Sequence, residues 1–171
     1  SDIVALLVIA HQATIHNLIT IANYETRKAL YDEAIVVKVA GRELEPGEHL
    51  DSTMIRVERA AEPLVRGMLF VKAAPLDAPI TGASGFTPEF SSRGPRDRDG
   101  RSLRDLDLER SVFRYPLTFL IYSDSFDALP SLVKEHVYRR LREVLSGEDT
   151  GEEFVHLTVS DREAILEILA D

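Results

Sequence analysis

Residues 3–31, IVALLVIAHQATIHNLITIANYETRKALY, set Ile15, Leu18, Ile19, Ala22, Thr26, Ala29 and Leu30 along one stripe of a helix, with Asn23 and Arg27 opposite. One long helix is therefore expected over Ile3 to Tyr31. Its first turns are apolar all round, which suits a buried or irregular start. The longest unbroken apolar run, Ile3 to Ala10, is eight residues, against about 20 for a membrane span. No transmembrane span is expected from it. No positively charged segment precedes it, so it does not read as a complete signal peptide.

Working outward, Ala34 to Ala40 is Val-rich and followed by Gly41. It reads as a short strand returning over Arg42–Glu45 as a hairpin, or equally as a ragged continuation of the helix. Pro46 and Gly47 mark a turn. Asp51 or Ser52 caps a second helix to about Val71, with Pro63 inside it. From Ala73 to Arg101 periodicity stops, and four Pro and four Gly punctuate a long irregular connection. Thr87-Pro88 suggests one short helical turn there. Ser102 is placed to cap a helix over Leu103–Phe113, and Leu117–Tyr122 is an apolar run of undecided type. Asp127 is placed to cap a helix that Gly147 stops, and Thr158–Asp161 is a capping box opening the last helix. The expected fold is mainly α: residues 1–171 form a single helical domain, an irregular bundle of about five helices, with an ordered 73–101 loop and one short β-hairpin.

Composition narrows function mostly by exclusion. The 171 residues contain no Cys, which removes disulfide scaffolds, Cys-zinc sites, thiolate nucleophiles and covalent c-type haem. Twenty basic against 29 acidic residues give a formal charge of −9, so a nucleic-acid partner is not expected. Sixteen of the bases are Arg, and seven of them fall between Ser92 and Arg114 with five acids. Arg favours bidentate carboxylate pairing. Arg93, Arg96, Arg101 and Arg104 are therefore candidate contacts to a protein partner, or to the domain's own Asp97, Asp105 and Asp107.

The histidines carry the other candidate chemistry. His11 and His16, five apart, are turned about 140° from each other on a helix, whereas helical zinc pairs sit three or four apart. They chelate one ion only if the helix begins between them. Either alone is a candidate metal or haem-iron ligand, and haem or a metal ion is the cofactor such a reading implies. Thr81–Gly85 resembles a glycine-rich nucleotide loop but lacks the strand before and the long helix after. Asp97-Arg98-Asp99-Gly100 fails as an EF-hand, because Pro95 and Leu106 fall at ligand positions. A non-EF calcium site from Asp97, Asp99, Ser102 and Asp105, or an Asx turn, are the alternatives. No nucleophile elbow is present. A hydrolase with dispersed residues would need a cleft joining His16, Tyr24 and an acid.

Several motifs together resemble a family of uncharacterised bacterial proteins. They are His11-Gln12-Ala13-Thr14-Ile15-His16-Asn17-Leu18-Ile19, Arg93-Gly94-Pro95 with Asp97, Gly100 through Leu108, Tyr115-Pro116, Leu120-Ile121-Tyr122 and Phe126 through Pro130. Members commonly look exported, so the resemblance implies a periplasmic or extracytoplasmic location. The family often has Cys after Tyr-Pro; Leu117 stands here, and no role for a thiol carries over. The expected function is a non-catalytic exported domain acting as an interaction or assembly subunit, in an envelope redox or surface complex. The alternatives are a metal- or haem-associated protein and the hydrolase.

Overall fold

Asp2 opens the first helix by accepting backbone hydrogen bonds from Val4 and Ala5 at 2.9 and 3.2 Å, which satisfies two of the donors a helix start leaves free. In this computed structural model, which describes residues 2–170, that helix is α1, Ile3–Val39. The chain continues as α2 (Asp51–Met68), α3 (Phe86–Ser92), a 3₁₀ turn (Phe119–Tyr122), α4 (Asp124–Asp127), α5 (Ser131–Ser146), a second 3₁₀ turn (Glu152–Phe154) and α6 (Val159–Ala170). The protein is mainly helical, an irregular bundle.

The hairpin expected over residues 34–45 does not form. α1 runs on through the Val-rich stretch beyond its last buried residue, Glu33; extending a helix already formed adds one hydrogen bond per residue fixed, which outweighs the strand preference of β-branched residues. Gly41, with φ of 60°, then closes the helix: its N–H bonds Lys38 and the Arg42 N–H bonds Val37.

α2 folds back along α1 in antiparallel register. Glu33 of α1 accepts from the Leu50 N–H at 2.7 Å and contacts His49 Nδ1 at 2.8 Å, so a carboxylate on the neighbouring helix, rather than an Asp51 or Ser52 side chain, fixes the entry to α2. Asp32 pairs with Arg56. At the far end Gly67 lies so close under α1 that a Cβ there would sit 2.6 Å from Leu18 Cδ1.

The helix expected over Leu103–Phe113 is also absent. Its acids serve turns instead: Asp105 accepts from the Ser102 N–H, and Asp107 from the N–H groups of Glu109 and Arg110. Such local bonds compete with a helical ladder. The chain reverses at 108–111, and Leu106 bridges Phe113 across a short antiparallel pair. That reversal anchors the 73–101 connection through Leu76 N–H to Arg110 C=O and Ile80 N–H to Leu108 C=O, both 2.9 Å. Ser84 ties the same connection to Asp2.

The later helices follow their sequence signals closely. α5 starts after Pro130 rather than at Asp127, because Ser123 caps the separate turn α4 first. α5 ends at Gly147, and the capping box forms with Thr158 and Asp161 exchanging hydrogen bonds. One continuous core joins Ile15 and Ile19 of α1, Leu64 and Met68 of α2, Phe126, Leu141 of α5 and Ile165 of α6.

Candidate functional site

Asp97 organises the Arg-rich loop. Its carboxylate, out of contact with solvent, accepts from the N–H groups of Asp99 and Arg101 and from Arg101 Nε at 2.7 Å. Arg101 reaches on to Glu167 of α6 at 2.7 Å. Arg96 donates to the carbonyls of Gly100 and Ser91 and to Asp105. Arg93 pairs with Glu89, and the Arg104 guanidinium lies over the Phe90 and Phe119 rings at 4.8 and 4.5 Å. Of the four candidate partner contacts, Arg96 and Arg101 thus pair with the domain's own Asp105 and Asp97, whereas Arg93 pairs with Glu89 at an exposed position and Arg104 packs on aromatic rings. The Asp97 oxygens face N–H donors, an Asx-type arrangement rather than a cation cage. Replacing Asp97 with Asn is expected to free the loop: limited proteolysis should cut within 93–101 faster than in the parent, and equal rates would contradict this fastening role.

The histidines separate. α1 is unbroken through both, so His11 and His16 face different ways. His16 is exposed, with Nδ1 3.2 Å from Ser125 Oγ. His11 stacks on Phe70 at 4.6 Å, touches Phe113 and Phe119, and places Nε2 2.7 Å from Thr118 Oγ1. Burial pushes its imidazole down to about 4, so it is neutral at pH 7. Among the described residues no group of three or more His, Asp or Glu side chains is placed to hold a metal. His16 and Tyr24 are both exposed, and neither lines the large cleft described below. Thr81–Gly85 packs against the start of α1, where a Cβ on Gly82 would meet Thr87 and Asp2.

No family model, curated protein or solved structure matches this chain. Its function therefore has to be argued from its own surface, and two features stand out.

The first is the outward face of α1. The core takes Val4, Val8, Ile15, Ile19, Ala22, Thr26, Ala29 and Glu33. On the opposite side, Ile3, Leu6, Ala10, Ala13, Asn17, Thr20, Ile21, Tyr24, Lys28, Tyr31 and Ile35 are all exposed, Tyr24 and Tyr31 by 63% and 68%. A globular protein's helix normally has one apolar stripe; this one has two. By length and composition α1 could cross a membrane, with 22% of its most apolar 18-residue window buried. The eight-residue run hid this, because His11, Gln12, His16 and Asn17 interrupt the apolar residues without reversing their average.

The second is an open cleft of about 1240 Å³ between the end of α2, the 107–114 reversal and residues 152–161, with His11 and His156 both on its walls. His156 donates from Nε2 to the Leu69 carbonyl at 2.7 Å. α2 ends in a tight double hydrogen bond, Phe70 N–H to Gly67 and Val71 N–H to Arg66, with Phe70 at φ of 56° where glycine is usual. That conformation aims the ring onto His11. Sequence reading missed the cleft because its walls come from four separate segments, and Phe70 carries no signal of its left-handed backbone.

Proposed function

We propose that this chain is a non-catalytic assembly subunit that pairs with a second copy of itself through the outward face of α1, the two helices running antiparallel. The observation that carries the reading is the order of side-chain sizes along that face. Its N-terminal half is small at Ala10, Ala13 and Asn17, and its C-terminal half is large at Tyr24, Lys28 and Tyr31. A parallel pair would set small against small and leave gaps. An antiparallel pair centred between Thr20 and Ile21 sets Ala10 against Tyr31, Ala13 against Lys28, Asn17 against Tyr24 and Leu6 against Ile35. The stripe's spacing alternates three and four, the period of helices that wind about each other.

The extent is adequate. At 1.5 Å per residue the stripe from Ile3 to Ile35 runs about 48 Å. A face roughly 10 Å wide then covers on the order of 500 Å² per copy, near the ~1,000 Å² total at which specific interfaces begin. Lys28, the one charge on the stripe, would lay its stem over Ala13 and keep its ammonium at the edge. A protein-interaction role for an extracytoplasmic subunit also agrees with the resemblance carried by the His11–Ile19 and Arg93–Leu108 motifs.

Light scattering on the purified chain tests this. A dimer is expected, and Tyr24→Glu with Tyr31→Glu should give a monomer with unchanged helical content, because both side chains are exposed. A monomer at all concentrations, or a dimer indifferent to these changes, would contradict the proposal. So would partition of the chain onto lipid vesicles in place of dimerisation.

A further inference from the structure

We propose that a small hollow beside the Arg-rich loop binds a compact organic acid, its carboxylate held by the Arg104 guanidinium. None of the residues lining it belongs to α1, so this site and the pairing of α1 stand or fall separately.

The hollow, about 170 Å³, lies where residues 94–95, 102–104 and 119–123 meet. Leu103, Phe119 and Leu120, all buried, give it an apolar floor. Among the described residues, Arg104 is the one charged side chain on its walls. An apolar surface with a few placed polar groups is what small-ligand sites use.

Arg104 is fixed from several sides. Its backbone N–H donates to Ser102 Oγ and its carbonyl accepts from Ser91 Oγ, both at 3.2 Å. Its guanidinium lies over Phe90 and over Phe119, whose rings meet edge to face at 5.1 Å. Its stem runs against Gly94, where a Cβ would come 3.0 Å from Cδ and 3.1 Å from Nε; glycine permits that approach. A guanidinium held this way has given up much of its rotamer freedom before a ligand arrives, so less entropy opposes binding.

These contacts supply no acceptor. Among the described residues, no ion pair or hydrogen bond engages the Arg104 guanidinium. Ring faces attract its charge, but its five N–H donors meet no oxygen. Glu89 and Asp105, acids of the adjoining segments, keep their charge but lie off these walls, beside Arg93 and Arg96. Burial and the Arg93 guanidinium push the Arg104 pKa down, and no carboxylate acts against them. Buried Ser102 accepts through Oγ from the Arg104 N–H, and its own hydroxyl proton has no acceptor among the described residues; nor has the Tyr122 hydroxyl on the same wall.

Hydrogen-bond chemistry, rather than a sum of regional charges, therefore sets the ligand's class. A guanidinium only donates, so an ammonium offers it nothing. A carboxylate matches its planar fork with two oxygens. One cation on the wall balances a monoanion, whereas a phosphate dianion would carry a second charge into a hollow with no second cation.

NMR titration with acetate and benzoate, with their amides, and with benzylammonium and inorganic phosphate tests the proposal. At least one acid should bind in the millimolar range or tighter and shift the Arg104 Nε–H and the Tyr122 and Phe119 ring resonances. Its amide and benzylammonium should bind at least about tenfold more weakly, and phosphate more weakly than the acid. Arg104→Gln, which keeps much of the stem, should weaken the acid by about tenfold or more and leave the amide unchanged. Arg110→Gln, at an exposed position off the hollow, should leave the acid unchanged. If Arg104→Gln does not fold, the parent chain's preference for acid over amide and the site of its shifts decide the matter. Absence of binding by either acid at millimolar concentration, equal binding of acid and amide, tighter binding of phosphate, shifts centred on other arginines, or full binding by folded Arg104→Gln would each overturn the proposal.

Discussion

Replacing Arg140 with leucine is expected to destabilise the protein by about 2–3 kcal/mol. Arg140 of α5 is 17% exposed and surrounded by acids: Glu62 of α2 at 2.9 Å, Glu143 at 2.5 Å and Asp149 at 2.9 Å. Glu62 also meets His136 Nε2 at 3.1 Å. One guanidinium therefore holds α2, α5 and the turn after α5 together. Without it Glu62 and Asp149, each about two-thirds buried, lose their arginine, and Glu143 keeps only the longer contact to Arg139 at 3.3 Å. Removing one member of a buried ion pair costs about 3–5 kcal/mol, and partial exposure lowers this figure. In a domain of this size the loss corresponds to a fall of roughly 5–10 °C in melting temperature. Adding Glu62→Gln to Arg140→Leu should restore part of it by relieving repulsion. A loss under about 1 kcal/mol would show the cluster to be no more than an exposed surface network.

Acid should weaken the fold well before the carboxylates titrate, and His11 is the cause. Burial among Phe70, Phe113 and Phe119 lowers its folded value to about 4, against about 6.5 in the unfolded chain. Between those limits the unfolded state binds the extra proton, so stability rises with pH. The contribution is complete above pH 6.5, is lost as pH falls toward 4, and is flat below that. The full difference amounts to roughly 3 kcal/mol. Glu33 acts in a lower window. Burial raises its carboxyl, but hydrogen bonds from His49, the Leu50 N–H and Thr53 outweigh that and hold it below the usual range. Its contribution is present above the unfolded value of about 4.3 and is lost below it. Urea titrations from pH 7 to 5 thus cover the His11 window and stay above that of Glu33. His11→Phe, which keeps an aromatic ring in the stack, should flatten the profile; an unchanged slope would contradict the buried neutral imidazole.

Much of the helical framework was legible from residue spacing. The stripe through Ile15, Ile19, Ala22 and Ala29, the inward set of Val133, Val137, Leu141 and Val144, and the Thr158–Asp161 box all mark elements found in the structure. Each is a local pattern, and local patterns survive in sequence. The failures share a cause. Asp105 and Asp107 look like ordinary first-turn acids until their carboxylates are seen on turn N–H groups, and Val36 and Val37 look like strand residues until Glu33 is seen anchoring α1 to α2. The Arg-rich loop was visible, but the choice between partner and self depended on Glu167 and Phe119, which are distant in sequence. The cleft had no local signature at all. The second stripe of α1 was present in the sequence, yet a search for one core-facing side passes over an apolar opposite side.

The cysteine-free chain allows the antiparallel pairing to be tested by single-cysteine cross-linking. Thr20→Cys and Ile21→Cys, beside the two-fold axis, should each oxidise to a covalent dimer. Ala10→Cys and Tyr31→Cys should each remain monomeric under denaturing conditions when oxidised alone, and cross-link when the two variants are mixed. Self-linking at residues 10 and 31 with no mixed product, or no disulfide at 20 or 21, would contradict the arrangement.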